Sequence, residues 1–205
     1  MERQDNYAIQ AEQAKRRFLT YDQQKLIAKL GLRFDETWLY MIMLCQPYRI
    51  HRATADIQRQ VSGTWIDGNS YEEVMTLLDL VCDSREDRHL SFRWKNMQSF
   101  GLMFHQNLLE DQHDPYAEAI NADPEGFCRA CEALGGMPLE NGDAAYAIEL
   151  FDGLRIAVQL WLGDEEFAPR LRFLWDENAL MWLKYETMYF AKAMLLERIR
   201  EEMEK

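Results

Sequence analysis

Apolar residues along the chain recur at two spacings, and each spacing predicts an element type. Ala8, Ala11, Ala14 and Phe18, then Leu26, Ile27 and Leu30, fall three or four apart, as one face of a helix requires. Residues 20–22 offer a break within this N-terminal helical segment, and Gly31 a stop. Residues 37–45 (TWLYMIMLC) are apolar or aromatic after Thr37, too short for a comfortable helix and followed by Pro47, so they predict a strand. Residues 48–51 and 56–61 supply shorter strands of the same meander. Ser70, with Glu73 three residues on, has the capping-box pattern; Tyr71, Val74, Leu77, Leu78, Val81 and Cys82 form the stripe of the helix it opens.

Residues 83–101 read as a loop with a short strand. Helical pieces follow around residues 104–110, 115–121 and 124–134. Pro115 and Pro124 sit at first-turn positions after the capping residues Asp114 and Asp123, and Gly135-Gly136 closes the last piece. In the C-terminal third, residues 144–151 and 154–162 flank Asp152-Gly153, a strong short hairpin signal, and residues 171–175 make a third strand. From Leu180 the spacing turns helical, with Trp182, Tyr185, Tyr189, Ala193, Leu196, Ile199 and Met203 on one stripe. Each half thus reads as strands followed by a helix, without a residue-level repeat or a Gly-, Ser- or Pro-rich linker. The fold class this predicts is α+β: a single domain over residues 1–205 with antiparallel β-meanders, an N-terminal helical segment and a long C-terminal helix. The one internal division the pattern offers separates residues 1–100 from 101–205.

Composition narrows the function classes. A hydrophobic content of 48% excludes disorder, and a net charge of −12 argues against nucleic acid and anionic membranes as partners. The polar start carries no signal-peptide pattern, and the longest apolar run, residues 38–45, is too short to cross a bilayer. With that, four cysteines (45, 82, 128 and 131) predict reduced thiols and a cytoplasmic protein.

Hairpin geometry sorts the acidic residues. A two-residue turn at 152–153 would place residue 151 opposite 154, 147 opposite 158 and 145 opposite 160. Asp143, Asp164, Glu165, Glu166 and Arg170 then gather at the open end of the sheet. A third strand of ~20 Å would carry Asp176 and Glu177 to the other end. The carboxylates at the open end have the chemistry to hold a hard divalent cation or a cationic partner. The alternative is that Asp164 caps a turn with Glu165 and Glu166 in its first residues. Asp176 reads as a helix cap or turn residue. Glu149 falls on the same face as Ile156 and Val158 in this register, which requires an edge, a partner or a different register.

Cys128 and Cys131 have the spacing of a redox or metal pair, but they sit inside a predicted helix with no second pair, so two buried thiols is the reading and no metal is assigned. His51, His89, His105 and His113 have no ligand spacing with one another. Arg85, Arg88, Arg93 and Lys95 with Phe92 and Trp94 form the one locally basic, aromatic stretch, suited to gripping an anionic or planar ligand or to being a solvated loop. No cofactor is identified from the residues.

Several phrases resemble those of an uncharacterised DUF3786-type family, a domain of unknown function. They are GDAA (142–145), LWLGDEEFAP (160–169), FLWDENA (173–179) with Tyr185-Glu186, HLSFR (89–93) with Phe100-Gly101, and FCRACEALGG (127–136). The resemblance implies an origin among anaerobic bacteria and archaea and an accessory role in redox or one-carbon metabolism. Some relatives carry a cysteine-rich iron–sulfur segment that this chain lacks. Three function classes follow, in order: a non-catalytic accessory protein binding a small molecule or partner, through the open end or through Arg93 and Trp94; a carboxylate- or metal-dependent enzyme using Asp143, Asp164, Glu165 or Glu166; and a homodimer packed through the Trp- and Tyr-rich final helix.

Overall fold

A computed structural model describes residues 6–68, 70–100 and 115–205. The helix expected around residues 104–110, His105, His113, Gly101 and the Asp114 cap lie outside the described residues. The chain divides into two compact units: residues up to 89 together with 180–191, and residues 90–179 together with 192–205. Both are built on an antiparallel sheet with helices, so the α+β class holds. No helix among the described residues is long and apolar enough to cross a membrane.

The first unit opens with helices α1 (Asn6–Leu19) and α2 (Gln23–Leu30), separated where the sequence offers a break. Asp22 caps α2 by accepting from the amides of Gln24 and Lys25, and Gly31 ends it in the left-handed region at φ 60°. Strands β1 (Arg33–Phe34), β2 (Trp38–Met43), β3 (Gln46–His51), β4 (Ile57–Val61) and β5 (Thr64–Asp67) then form a meander in sequence order. The β2–β3 turn is Leu44-Cys45, both left-handed (φ 49° and 56°), with Met43 opposite Gln46. Pro47 therefore lies inside a strand, opposite Ile42, rather than ending one. Nothing in Leu-Cys advertises this turn; burial of the Leu44 side chain offsets its backbone cost.

Helix α3 (Tyr71–Asp83) starts with both halves of the capping box, Ser70 accepting from the Glu73 amide and Glu73 from Ser70. Ser70→Ala is expected to cost about 1 kcal/mol, read from denaturant midpoints at unchanged slope. The helix is buried well beyond one stripe, Glu73, Thr76 and Asp79 included. Glu73 accepts from the Tyr48 hydroxyl at 3.0 Å. Asp79 accepts from Arg17 of α1 at 2.5 Å, from Lys184 at 3.2 Å and from the Thr187 hydroxyl. Asp83 shares both cations, at 2.8 Å from Arg17 and 2.7 Å from Lys184.

The second unit carries β6 (Trp94–Asn96), a 3-10 turn (Met97–Ser99), helices α4 (Pro115–Ala122) and α5 (Pro124–Ala133), and strands β7 (Met137–Pro138), β8 (Ala144–Phe151), β9 (Leu154–Trp161) and β10 (Arg170–Asp176). Their order in the sheet is β6-β10-β9-β8-β7. Asp152-Gly153 makes the expected two-residue turn, with Phe151 opposite Leu154. Beyond it the expected register is wrong by one residue. An irregularity between Glu149 and Phe151 puts Ala147 opposite Ala157, Ala145 opposite Gln159 and Ala144 opposite Leu160. The extra residue is a β-bulge, and it resolves the awkward Glu149: that side chain now stands exposed, opposite Arg155, and accepts from the Gly153 amide at 3.1 Å.

Helix α6 (Tyr185–Met203) serves both units, its residues to 191 in the first and from 192 in the second. The predicted stripe holds in part, with Leu196 and Ile199 buried. Trp182 lies before the helix and is buried, while Tyr185, Tyr189, Ala193 and Met203 are only half-buried. Met188, Ala191 and Leu195 join Leu196 and Ile199 on the buried line. The tyrosines flank it because each hydroxyl needs a partner; theirs lie 2.9 Å apart.

The two units share one plan. Each runs two helices, a left-handed glycine (Gly31; Gly135 at φ 70°), a two-residue strand, a hairpin on a left-handed residue pair, and a closing helix. The repetition lives in the backbone, which is why no residue-level repeat betrays it.

Candidate functional site

At the open end of the second sheet, strand pairing of Arg170 with Trp161 and of Ala144 with Leu160 brings Asp143, Asp164 and Arg170 to one end. Asp176 lies at the other end, opposite Trp94. Two of the open-end carboxylates, Asp143 and Asp164, have local work. Gly142 is left-handed, and a Cβ on it would meet the Leu160 carbonyl oxygen at 2.7 Å, so the chain passes tightly under β9. Asp143 follows and accepts from the Leu162 amide at 2.8 Å. Asp164 accepts from the amides of Glu166 and Phe167 at 2.8 and 2.7 Å, and those bonds hold its carboxyl below the usual range. Glu165 and Glu166 are exposed in that turn. The amide of Gly163 donates to Asn121 at 2.9 Å. Among the described residues no three metal-ligating side chains converge.

Of this set, Asp143 alone borders a cleft of about 360 Å³ between α5 and the ends of β8 and β9, with Cys128, Arg129, Glu132 and Leu162 on its walls. The Tyr146 hydroxyl donates to Glu132 at 3.2 Å, and burial, with Cys128 and Glu132 next, pushes its pKa up. Burial also raises the Cys131 thiol, and that of Cys82 to about 12, so neither supplies a thiolate at neutral pH. None of the four cysteines forms a disulfide.

The basic, aromatic stretch is organised by Asp176. Its buried carboxylate accepts from the Ser91 amide at 3.0 Å, the Ser91 hydroxyl at 3.0 Å, the Phe92 amide at 2.7 Å and the Asn178 amide at 2.8 Å. Phe92 is thereby held left-handed, at φ 60°, with 84% of its surface exposed. Arg93 and Lys95 both pair with Glu177, and Trp94 opens β6 half out of the protein. So Arg93 and Trp94 meet the FLWDENA segment, and Asp176 is the clamp between them rather than a helix cap.

A third place was not predicted. Alternation along β2 sends Leu39, Met41 and Met43 to the buried side and Trp38, Tyr40 and Ile42 to the other, where Ile42 is 58% exposed. Neighbouring strands add Pro47, Arg49, Gln58, Gln60 and Trp65 to that outer face by register. A cleft of about 430 Å³ lies over it, bordered by Arg33, Asp35, Tyr40, Ile42, Gln60 and Trp65. The Arg49 guanidinium is stacked on Trp38 at 4.0 Å and on Trp65 at 4.4 Å, and Gln58 accepts from its Nε and Nη2 at 2.9 and 2.6 Å. The Tyr40 hydroxyl donates to Asp35 at 2.7 Å and, with the amides of Trp38 and Thr37, holds the Asp35 carboxyl below its usual range. The available signal was a strand with apolar side chains at both phases of its alternation. An antiparallel sheet with one solvated face ordinarily shows polar residues at one phase.

Comparison with known proteins gives one family. The model for a domain of unknown function, DUF3786, matches residues 22–198. No curated protein and no solved structure matches.

Proposed function

The chain belongs to the DUF3786 family of domains of unknown function, and from that premise we propose that it is a non-catalytic binding protein whose recognition surface is the outer face of the β1–β5 sheet. One observation carries this reading: the aromatic cleft on that face, of about 430 Å³, stands where the sheet would otherwise be polar. Its volume suits a small molecule, and its walls offer a ring surface (Tyr40, Trp65), an apolar floor (Ile42, Pro47) and the side-chain amide of Gln60. With a chain charge of −12, a small molecule fits better than a nucleic acid. Reduced thiols support a cytoplasmic setting, and an accessory role in anaerobic metabolism is the context the family resemblance adds. The enzyme alternative at the second sheet draws less support. Asp164 is committed to its own turn, and among the described residues no nucleophile, base and orienting group are assembled around Asp143.

Titration calorimetry with 2-naphthalenemethanol, a neutral planar probe, tests the reading. Wild-type protein should bind it, and Trp65→Ala should weaken binding at least tenfold while keeping its circular dichroism. Binding that is indifferent to Trp65, or no binding, overturns the proposal.

A further inference from the structure

Arg49 is the cation of the central strand on this face. In a chain with 35 acidic and 23 basic residues, arginines readily find carboxylates: Arg17, Arg85, Arg93 and Arg200 all do. Arg49 instead makes no ion pair among the described residues. It lies between two indoles and is oriented by a neutral amide, Gln58, whose own nitrogen donates to Asp67 at 3.1 Å. Stacking fixes the plane of a guanidinium without consuming its N–H groups, and Nε and Nη2 are the nitrogens that Gln58 engages. Nη1 is not among them; the Tyr40 hydroxyl and, through its charge, Asp35 also act on the guanidinium.

We propose that the outer face of the β1–β5 sheet takes a small planar ring bearing an anionic group, carboxylate or phosphate, with Arg49 as the anion anchor. The ring lies over Ile42 and Pro47 against Tyr40 and Trp65, which border the cleft. Trp65 is also one of the two rings that hold Arg49, so the stacking surface and the anchor are contiguous. Arg33, paired in register with Tyr40, adds a second positive charge at the cleft border. Asp35, the exposed carboxylate at the same border, accepts from the Tyr40 hydroxyl and from the amides of Thr37 and Trp38. Gln58 holds the Nε edge of the guanidinium. The end of the fork, Nη1 with the second hydrogen of Nη2, is therefore the edge that can meet a carboxylate or phosphate through two hydrogen bonds.

This inference rests on the binding reading above, and the probes separate the two. Calorimetry would compare 2-naphthoate, 2-naphthyl phosphate, 2-naphthalenemethanol and inorganic phosphate on the whole protein. The expected result is that naphthoate or naphthyl phosphate binds at least tenfold more tightly than the neutral probe. Arg49→Met should remove that margin and leave the neutral probe's affinity within twofold, and Arg49→Lys should restore only part of it. The relative strength of the two anionic probes assigns the group. Equal affinity for neutral and anionic probes, with Trp65→Ala still weakening both, overturns the anion anchor and leaves the recognition face standing. No Trp65-dependent binding of any ring overturns both. Inorganic phosphate bound as tightly as naphthyl phosphate overturns the planar ligand. Should Arg49→Met fail to fold, the wild-type margin and the Arg49→Lys variant decide the outcome.

Discussion

Replacing Asp79 by alanine is expected to destabilise the protein by about 3 kcal/mol, the low end of what removing one partner from a buried ion pair costs. The Asp79 side chain is 2% exposed and receives Arg17 from α1, Lys184 from the segment before α6, and the Thr187 hydroxyl within α6. One carboxylate on α3 thus ties together three stretches of the first unit. Removal would leave Thr187 without its acceptor in a buried place. The cost stays at the low end because Arg17 and Lys184 are partly exposed and both keep Asp83. For a chain of this size about 3 kcal/mol corresponds to a drop of about 6–12 °C in melting temperature.

The same network has a signed pH dependence. Burial works against charge on both Asp83 and Lys184, yet their bonds to each other and to Arg17 and Asp79 hold Asp83 below its usual 3.8 and raise Lys184 above its usual 10.5. Asp83 contributes stability that is present above pH 4 and lost as pH falls through its depressed pKa. Lys184 contributes stability present below pH 10 and lost as pH rises through its raised one. Calorimetric scans of wild type and Asp79→Ala across that window should differ most in its middle. A variant that melts within 2 °C of wild type at pH 7 would remove this account of the network.

What the sequence made legible follows from how local each instruction is. Ser70 with Glu73, the break at residues 20–22, the stop at Gly31 and the turn at Asp152-Gly153 are each written within a few residues, and each was readable. The bulge before Phe151 was not, since it is chosen by packing on both faces of β8, and a one-residue slip exchanges those faces. The turn at Leu44-Cys45 lacks the residues that favour left-handed backbone, so β2 read as longer than it is and β3 as shorter. The outer face of the first sheet was hidden for a related reason. TWLYMIMLC reads as a wholly buried strand unless one knows which side of the sheet is left uncovered, and that is a tertiary property. The open-end group Asp143, Asp164, Glu165, Glu166 and Arg170 was placed at one end of the sheet from the hairpin alone, and of these Asp143 lines the cleft beside α5.

Asp176→Ala is expected to cost about 3 kcal/mol as well, because hydrogen bonds to a charged group carry roughly 1.5–3 kcal/mol each and do not add in full. Its partners lie 84 and 85 residues away in sequence, at Phe92 and Ser91, which is why FLWDENA alone suggested only a cap or a turn. Burial works to raise this carboxyl, and the bonds from Ser91, Asn178 and Phe92 outweigh it, leaving the pKa below the usual 3.8. The stability Asp176 contributes is therefore full above about pH 4 and lost as pH falls further, and the alanine variant should lack that part of the acid limb. A local readout follows from the clamp. Phe92 holds its left-handed, exposed conformation only while Asp176 engages its amide, so the variant should release residues 91–93 and speed tryptic cleavage after Arg93 at least tenfold under native conditions. Asp176→Asn, which keeps one acceptor oxygen but loses the charge, should fall between the two in melting temperature and cleavage rate. Cleavage after Arg93 that is no faster in Asp176→Ala than in wild type would mean that the strand pairing of Trp94 with Asp176, and not the carboxylate, fixes this loop.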